Sequence, residues 1–141
     1  MSRLKSIPTP ALALAMLCFC LFPFAATAQT AQETLAGLRQ QAAETSGFQG
    51  FSASRGEQFF NATHGNDWSC STCHTQNPAA LGKHAKTNKI LQPMAPAVNA
   101  ERFTDQAKVD KWFKRNCNDV VDRACTAQEK GDVLTYLMSL K

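Results

Sequence analysis

The chain has 141 residues, with 15 Lys and Arg against 11 Asp and Glu, and a formal net charge of +4. That length is enough for one domain. No basic stretch is interleaved with aromatic residues, which argues against a nucleic-acid-binding protein, and no segment after residue 28 is long and apolar enough to span a membrane.

The first 28 residues have the layout of a secretory signal peptide. Arg3 and Lys5 precede an apolar run over 11–24, and a small-x-small cleavage site follows at 26–28. The run is shorter than the ~20 apolar residues of a spanning helix, which favours cleavage over a membrane anchor. We expect a mature domain of residues 29–141 in the periplasm, with 13 of the 15 basic residues and all 11 acidic ones.

Two helices are predicted before the first motif. Helix formers run from Thr30 to Thr45. Ser54 is a suitable N-cap for a second helix over 55–62, which would turn Phe59 and Phe60 inward. Both predictions favour an all-α domain.

Cys70, Cys73 and His74 form a C-x-x-C-H motif. Two thiols at this spacing can add to the two vinyl groups of a haem, and the adjacent histidine then binds the iron as its proximal ligand. A thioredoxin-like redox pair would need a βαβ context, and a zinc site would need a second pair of ligands. Neither is visible, so the motif predicts one covalent haem c, carried on a short helix.

Residues 78–96 contain three prolines, one glycine and four basic groups, with little periodicity. This composition predicts a long loop over the haem. Within it, Met94 in Q-P-M-A-P is similar to the methionine loop of electron-transfer cytochromes and is a candidate for the sixth iron ligand. Further candidates elsewhere in the chain are His64, His84 and Met138.

A helix is predicted from Thr104 to Asn116. In it Val109, Trp112, Phe113 and Asn116 fall on one face. A buried amide without a partner costs on the order of 1–3 kcal/mol, so Asn116 needs one. An amide binds iron only weakly, but Asn116 lies on the face of the helix where a ligand would be needed.

The last helix is predicted to begin at Thr126. Thr126 and Glu129 have the spacing of a capping box, and an apolar stripe follows at Val133, Leu134, Leu137 and Leu140. With the haem motif, these helices predict an all-α domain with a small class I-like cytochrome c fold around one covalent haem.

The motifs from residue 56 onward resemble a small family of bacterial monohaem cytochromes that includes the Sphaeroides haem protein (SHP) and cytochrome c″. The matching pieces are G-E-Q-F-F-N at 56–61, C-S-T-C-H-T-Q-N-P at 70–78, M-A-P-A-V-N at 94–99, E-R-F-T-D-Q-A-K-V-D-K-W at 101–112, R-N-C-N-D-V-V-D-R-A-C-T at 115–126 and E-K at 129–130. In that family the residue before the first late cysteine is the distal ligand, histidine in cytochrome c″ and asparagine in SHP. The resemblance therefore implies that Asn116 binds the iron, as in SHP, and that Cys117 and Cys125 form a disulfide.

The same resemblance bears on two competing ligands. A leucine stands in place of Met94 in cytochrome c″, which implies a packing role for Met94. Asn118 is shared by family members with a histidine ligand, which favours a structural role for it.

An asparagine ligand implies a function that depends on redox state. An amide oxygen suits ferric iron and suits ferrous iron poorly, so reduction is expected to release Asn116 and to open the iron to O2, NO or CO. The first alternative is a plain electron-transfer cytochrome with Met94 or Asn116 bound in both states. The second is an enzyme that converts oxygen, nitric oxide or peroxide, for which no distal acid–base pair is recognisable.

The resemblance also implies a redox partner protein, typically a dihaem cytochrome c. Seven basic residues are candidates for a docking surface for this partner: Lys83, Lys86, Lys89, Lys108, Lys111, Lys114 and Arg115. A merely solvated surface is the simpler interpretation, because acidic residues interleave with some of them.

Overall fold

The computed structural model describes residues 29–65 and 67–141, so the predicted signal peptide lies outside the described residues. Within this part of the chain the helices are α1 (Ala31–Ala43), α2 (Ala53–Asn61), α3 (Cys70–His74), α4 (Gln106–Val121) and α5 (Ala127–Ser139). Two short antiparallel strands, β1 (Gly82–Lys83) and β2 (Ile90–Leu91), lie between α3 and α4. None of the described helices is long and apolar enough to cross a bilayer.

The helix starts are fixed by side-chain caps, and two of them differ from the prediction. Ser52, not Ser54, caps α2, because its hydroxyl accepts a hydrogen bond from the N–H of Arg55 at 3.3 Å. Asp105, not Thr104, caps α4 through the N–H of Lys108 at 3.0 Å. The predicted cap Ser54 and the predicted first residue Thr104 each lie within two residues of the side chain that caps the helix.

The caps of α1 and α5 are full capping boxes. Thr30 and Glu33 form the one at α1. At α5 the N–H of Thr126 donates to Glu129 at 2.8 Å, and the N–H of Glu129 donates to the Thr126 hydroxyl at 3.1 Å. The predicted start of the last helix is therefore confirmed.

α4 continues beyond Asn116, where the sequence predicted its end. It runs to Val121 and stops at Asp122, which has a left-handed backbone with φ of 54°. Asp tolerates this conformation better than most residues. Asn116 consequently lies inside the helix and not at its end.

The core forms where α2 crosses α5. Phe60 of α2 packs with Val133, Tyr136 and Leu137 of α5. Helix α1 also lies against α5. The two helices cross so closely that an added β-carbon at Gly56 would overlap the carbonyl of Asp132. The predicted stripe of α5 is confirmed, since Val133, Leu134 and Leu137 are buried and Leu140 packs against the cluster.

A buried carboxylate ties the start of α2 to α5. Asp132 is 4% exposed. It accepts hydrogen bonds from Arg55 Nε at 2.8 Å, the second Arg55 nitrogen at 2.9 Å, the backbone N–H of Ser52 at 2.6 Å and Gln128 Nε2 at 3.0 Å. A buried charge is tolerated only when its acceptor sites are filled in this way.

The predicted long loop contains a short hairpin. The N–H of His84 donates to the carbonyl of Lys89, and the N–H of Asn88 donates to that of His84, both at 2.9 Å. Asn88 has φ of +58°, a left-handed conformation that asparagine accepts. The predicted long loop therefore contains a hairpin over residues 82–91, whose turn signal is too weak to stand out among the prolines.

Candidate haem site

The C-x-x-C-H motif lies on α3, which Ser69 caps. The Ser69 hydroxyl accepts from the N–H of Thr72 at 3.1 Å, and the Ser69 N–H donates to the Thr72 hydroxyl at 2.9 Å. This reciprocal pair fixes a helix of only five residues, which has too few internal hydrogen bonds to be stable alone. The predicted short helix under the motif is confirmed.

Cys70 and Cys73 are free thiols, both half-buried, and Cys70 packs against the core cluster. Burial raises the pKa of the Cys70 thiol to about 11. The His74 ring lies 6.4 Å from that of Phe60, centroid to centroid. Burial lowers the pKa of His74 to about 4, and the positive charges of Arg102 and His84 act in the same direction. The imidazole is thus neutral at pH 7, the form that binds metals.

The hairpin lies directly against α3. An added β-carbon at Gly82 would overlap the carbonyl oxygen of Cys73, so only glycine permits this approach. The backbone N–H of Ala85 donates to Cys73 Sγ at 3.4 Å. The hairpin therefore covers the second cysteine of the motif.

The inner side of α4 faces the same region. Val109, Cys117 and Val120 are buried, and Phe113 packs against the core cluster. The backbone of α4 makes no approach to another described helix as close as that of α2 or α1 to α5. Phe113 and Cys70 pack against the same cluster, so side chains bring the inner side of α4 to the part of the core next to the motif.

Trp112 does not belong to this inner side, so its predicted position is wrong. It is 47% exposed, with Lys111 Nζ 5.6 Å and Arg115 Cζ 5.7 Å from its ring centroid. The indole therefore lies at the edge of the apolar stripe, where its ring contacts two cations.

Asn116 lies within about 40° of the middle of the stripe formed by Val109, Phe113 and Val120, at 3.6 residues per turn. Its side chain is half-buried. Among residues 29–65 and 67–141 its carboxamide has no hydrogen-bond partner. Asn118 instead lines an exposed groove with Lys114 on the opposite side of α4. Asn116, not Asn118, therefore lies on the side of α4 that carries its buried residues.

A disulfide joins Cys117 to Cys125, with the two Cα atoms 5.6 Å apart. Both residues are buried. The bond ties the last turns of α4 to the segment just before α5. It follows Asn116 immediately in the chain.

Among the other candidate ligands, the two histidines have local hydrogen-bond partners and the two methionines have none within the described chain. His64 Nε2 donates to the carbonyl of Phe59 at 2.8 Å, and His84 Nδ1 accepts from the N–H groups of Lys86 and Thr87 at 3.2 and 3.3 Å. Met94 is half-buried and packs against the core cluster. Met138 is half-buried on α5. Only Met94 combines an apolar contact near the motif with a side chain free of a hydrogen-bonding role.

The comparisons with solved structures agree with this geometry. The oxidised form of SHP, described as an oxygen-binding cytochrome c, superposes with a TM-score of 0.69 and 36% identity, covering 79% of this chain and 97% of that one. Oxidised cytochrome c″ from Methylophilus methylotrophus gives 0.69 and 33%, covering 79% and 94%. Its solution structure, described in terms of haem-ligand detachment, gives 0.67. This chain belongs to the SHP and cytochrome c″ family.

The sequence comparisons place the same family on most of the domain. Residues 46–137 match a family model described as a domain of unknown function, DUF1924. Cytochrome c″ of Methylophilus methylotrophus is 41% identical over 88 residues, 60% of this chain and 61% of that protein. SHP of Cereibacter sphaeroides is 46% identical over 69 residues, 49% and 53% of the two chains. The matches thus span between half and two thirds of these relatives.

The predicted fold is confirmed as the small, mainly helical cytochrome c-like fold of this family, and the chain is a monohaem c-type cytochrome with one covalent haem c. The described residues fit that cofactor. Two thiols are free, and His74 is neutral. Apolar side chains, with Phe59, Phe103 and Phe113 among them, surround the core next to the motif. A haem of this family needs these three elements.

Sequence reasoning did not single out Arg102. This half-buried guanidinium donates to the carbonyls of Pro93 and Gln92, both at 2.7 Å, and so braces the segment that carries Met94. No carboxylate in the described part of the chain pairs with it, which leaves a cation suited to the anionic propionates of a haem. The only signal in the sequence is its place in the shared E-R-F motif.

Proposed function

We propose that this family member is a periplasmic cytochrome c in which Asn116 binds ferric haem iron and leaves it on reduction. Cys70 and Cys73 form the two thioether bonds, and His74 is the proximal ligand. Release of Asn116 opens the sixth position to O2, NO or CO. The haem supplies a one-electron couple and the iron that takes the ligand.

The observation that carries the proposal is the amide of Asn116. It is half-buried on the inner side of α4, close to the middle of an apolar stripe, without a hydrogen-bond partner among the described residues. An amide on the inner side of a helix that bonds to no other residue is available to a group outside the polypeptide. Iron in the adjacent haem is the partner that the C-x-x-C-H motif supports.

The redox dependence follows from donor chemistry. An amide oxygen is a hard, neutral donor, and its bond weakens when the metal charge falls from three to two. Imidazole is a stronger and softer donor, so His74 stays bound in both states. The Cys117–Cys125 bond limits how far the end of α4 moves when Asn116 leaves.

The relatives support this behaviour. SHP is described as an oxygen-binding cytochrome c, and cytochrome c″ has been described in terms of haem-ligand detachment. Export and a redox partner are part of the same proposal. The signal-peptide layout of residues 1–28 and the disulfide support a periplasmic location, and the family resemblance supports a dihaem cytochrome c as partner.

The competing function is a plain electron carrier with Met94 as a permanent ligand. It is favoured by the half-buried position of Met94 against the core cluster. Thioether sulfur binds both oxidation states of haem iron, so such a protein would keep its sixth ligand on reduction.

Absorption spectra of the oxidised and dithionite-reduced holoprotein, with and without carbon monoxide, test the proposal. We expect a six-coordinate ferric form, a five-coordinate high-spin ferrous form and rapid carbon monoxide binding. Asn116→Ala should open the ferric protein to azide and cyanide, whereas Met94→Leu should leave its spectrum unchanged. A low-spin ferrous spectrum, lost in Met94→Leu and kept in Asn116→Ala, would establish the carrier instead.

Attachment has its own test. Acid–acetone treatment should leave the haem on the protein, and variants with Ala at Cys70 and at Cys73 should each retain at most one thioether. Haem extracted from the unaltered protein would refute the covalent link.

A further inference from the structure

The segment that carries the haem motif and the hairpin has one sign of charge. From residue 68 to residue 100 the chain contains three lysines and no Asp or Glu. Lys83, Lys86 and Lys89 are all exposed. Lys86 lies over the ring of Trp68, 4.6 Å from its centroid, while Lys83 and Lys89 have no ion pair with any described residue. These cations are not neutralised within the described chain.

The hairpin also exposes two large apolar side chains. Leu81 is 57% exposed and Ile90 is 62% exposed. Lys83 pairs with Ile90 in the ladder, and Leu81 immediately precedes β1, two residues before Lys83. We call Leu81, Lys83, Lys86, Lys89 and Ile90 the hairpin surface. It combines an apolar centre with unpaired cations.

The hairpin surface lies next to the residue that we assign to the haem. The backbone of β1 touches the carbonyl of Cys73, and the N–H of Ala85 reaches Cys73 Sγ at 3.4 Å. A protein docked on the outer face of this two-stranded layer is thus separated from the motif by a single layer of backbone. Because electron transfer slows steeply with distance, this is a favourable place for a redox partner.

The basic residues of α4 differ in their surroundings. Lys108 Nζ lies 3.2 Å from a carboxylate oxygen of Asp105, and Arg115 Nε lies 4.0 Å from one of Asp119. Asp119 also lines the groove next to Lys111 and Lys114. Carboxylates at this spacing reduce the field that an approaching anion would meet.

We propose that the hairpin surface, and not α4, is the docking site for an acidic redox protein whose own exposed cofactor edge is apolar. In the complex, one electron passes from the reduced cofactor of the partner to the ferric haem iron, which becomes ferrous, and no proton moves. The lysines steer the encounter and the apolar centre holds the complex. The docking site rests on the redox partner of the proposed function, and it holds whichever residue binds the iron distally.

The test uses the ferric holoprotein and reduced flavodoxin, an acidic one-electron carrier, as the probe. Stopped-flow absorption gives the second-order rate of haem reduction at low and at high ionic strength. The variant with Lys83→Glu and Lys89→Glu should react about ten-fold more slowly at low ionic strength, and the difference should shrink with added salt. The matched control, Lys108→Glu with Lys114→Glu, makes the same change in net charge and should slow the reaction less than about two-fold.

Two results would overturn the assignment: an equal or larger loss in the α4 control, or an unchanged rate in the hairpin variant. Both variants must first show the unaltered ferric spectrum and reduction potential. Leu81→Gln with Ile90→Thr tests the apolar centre, and should slow the reaction at high ionic strength, where steering is screened. An unchanged rate there would refute an apolar contribution. Asn116→Ala should keep the same charge dependence, which separates this proposal from the ligand exchange.

Discussion

Asn116 and Asn118 lie on opposite sides of α4. Asn116 is half-buried on the side of Phe113, and Asn118 is exposed in a groove next to Lys114. Residues two positions apart in the sequence of a helix differ by about 200° around its axis, so the two amides cannot serve the same site. The chain therefore contains a matched pair of asparagines, one positioned for the proposed ligand role and one not.

Histidine at the two positions should have opposite effects. Imidazole binds ferrous haem iron far better than an amide does, so Asn116→His should give a low-spin ferrous spectrum. It should also slow carbon monoxide binding by about ten-fold or more, since each 1.4 kcal/mol of ligand bond adds a factor of ten. Asn118→His should leave the ferrous spectrum and the binding rate unchanged. Equal effects at both positions, or none at Asn116, would remove α4 from the distal site.

Loss of the disulfide should weaken both the fold and the proposed ligation. Closing a loop of nine residues between Cys117 and Cys125 is worth about 2.5 kcal/mol in the chain-entropy model. Replacing both cysteines by serine should lower the melting temperature accordingly and disturb the ferric spectrum. The unaltered protein should release two alkylatable thiols only after reduction. A ferric spectrum identical to that of the parent would restrict the bond to a structural role.

The sequence contained enough information for the local features with strong short-range signals. The capping box of Thr126 and Glu129 and the apolar stripe from Val133 to Leu140 were predicted correctly, because each depends on neighbours within two turns. Ser54 was a wrong choice because Ser52 is held by Asp132, a residue 80 positions away. No local pattern reports that contact.

The sequence predicted the cofactor of the site better than it predicted the positions of the surrounding side chains. The C-x-x-C-H motif indicated the haem and its short helix. Periodicity placed Trp112 and Asn116 on one face, but it does not say which edge of the stripe turns outward, and Trp112 proved exposed beside Lys111 and Arg115. The hairpin over Cys73 was missed because its contacts with α3 are made by backbone atoms.

Gly56 should be intolerant of any side chain. An added methyl group there would overlap the backbone of Asp132 and crowd Tyr136 at the crossing of α2 and α5. We expect Gly56→Ala to destabilise the holoprotein by about 1–3 kcal/mol, the usual cost of overpacking. Gly37→Ala is the control, because nothing lies within 4 Å of its added β-carbon. Because Gly37 lies within α1, Gly37→Ala should raise the free energy of unfolding by up to about 1 kcal/mol. Chemical denaturation measures the free energy of unfolding of both variants. If Gly56→Ala left it unchanged, α2 and α5 would be able to move apart without cost.

The start of α5 should make stability depend on pH in the acidic range. Arg123 pairs with Glu129 through two contacts of 2.6 and 2.8 Å, and this side-chain hydrogen bonding lowers the pKa of Glu129 below its ordinary 4.5. A carboxyl whose pKa is lower in the folded state stabilises the protein at higher pH, and that contribution disappears as the pH falls through the folded-state pKa.

Glu129→Gln keeps a side chain that can cap Thr126 but removes the charge. The parent should therefore melt at a higher temperature than the variant at pH 7, and the two melting temperatures should converge as the pH falls below 4.5. Glu101→Gln, at an exposed position outside any ion pair of the described residues, should follow the parent throughout. A gap between parent and Glu129→Gln that widens in acid would show that the Arg123 pair does not stabilise this helix start.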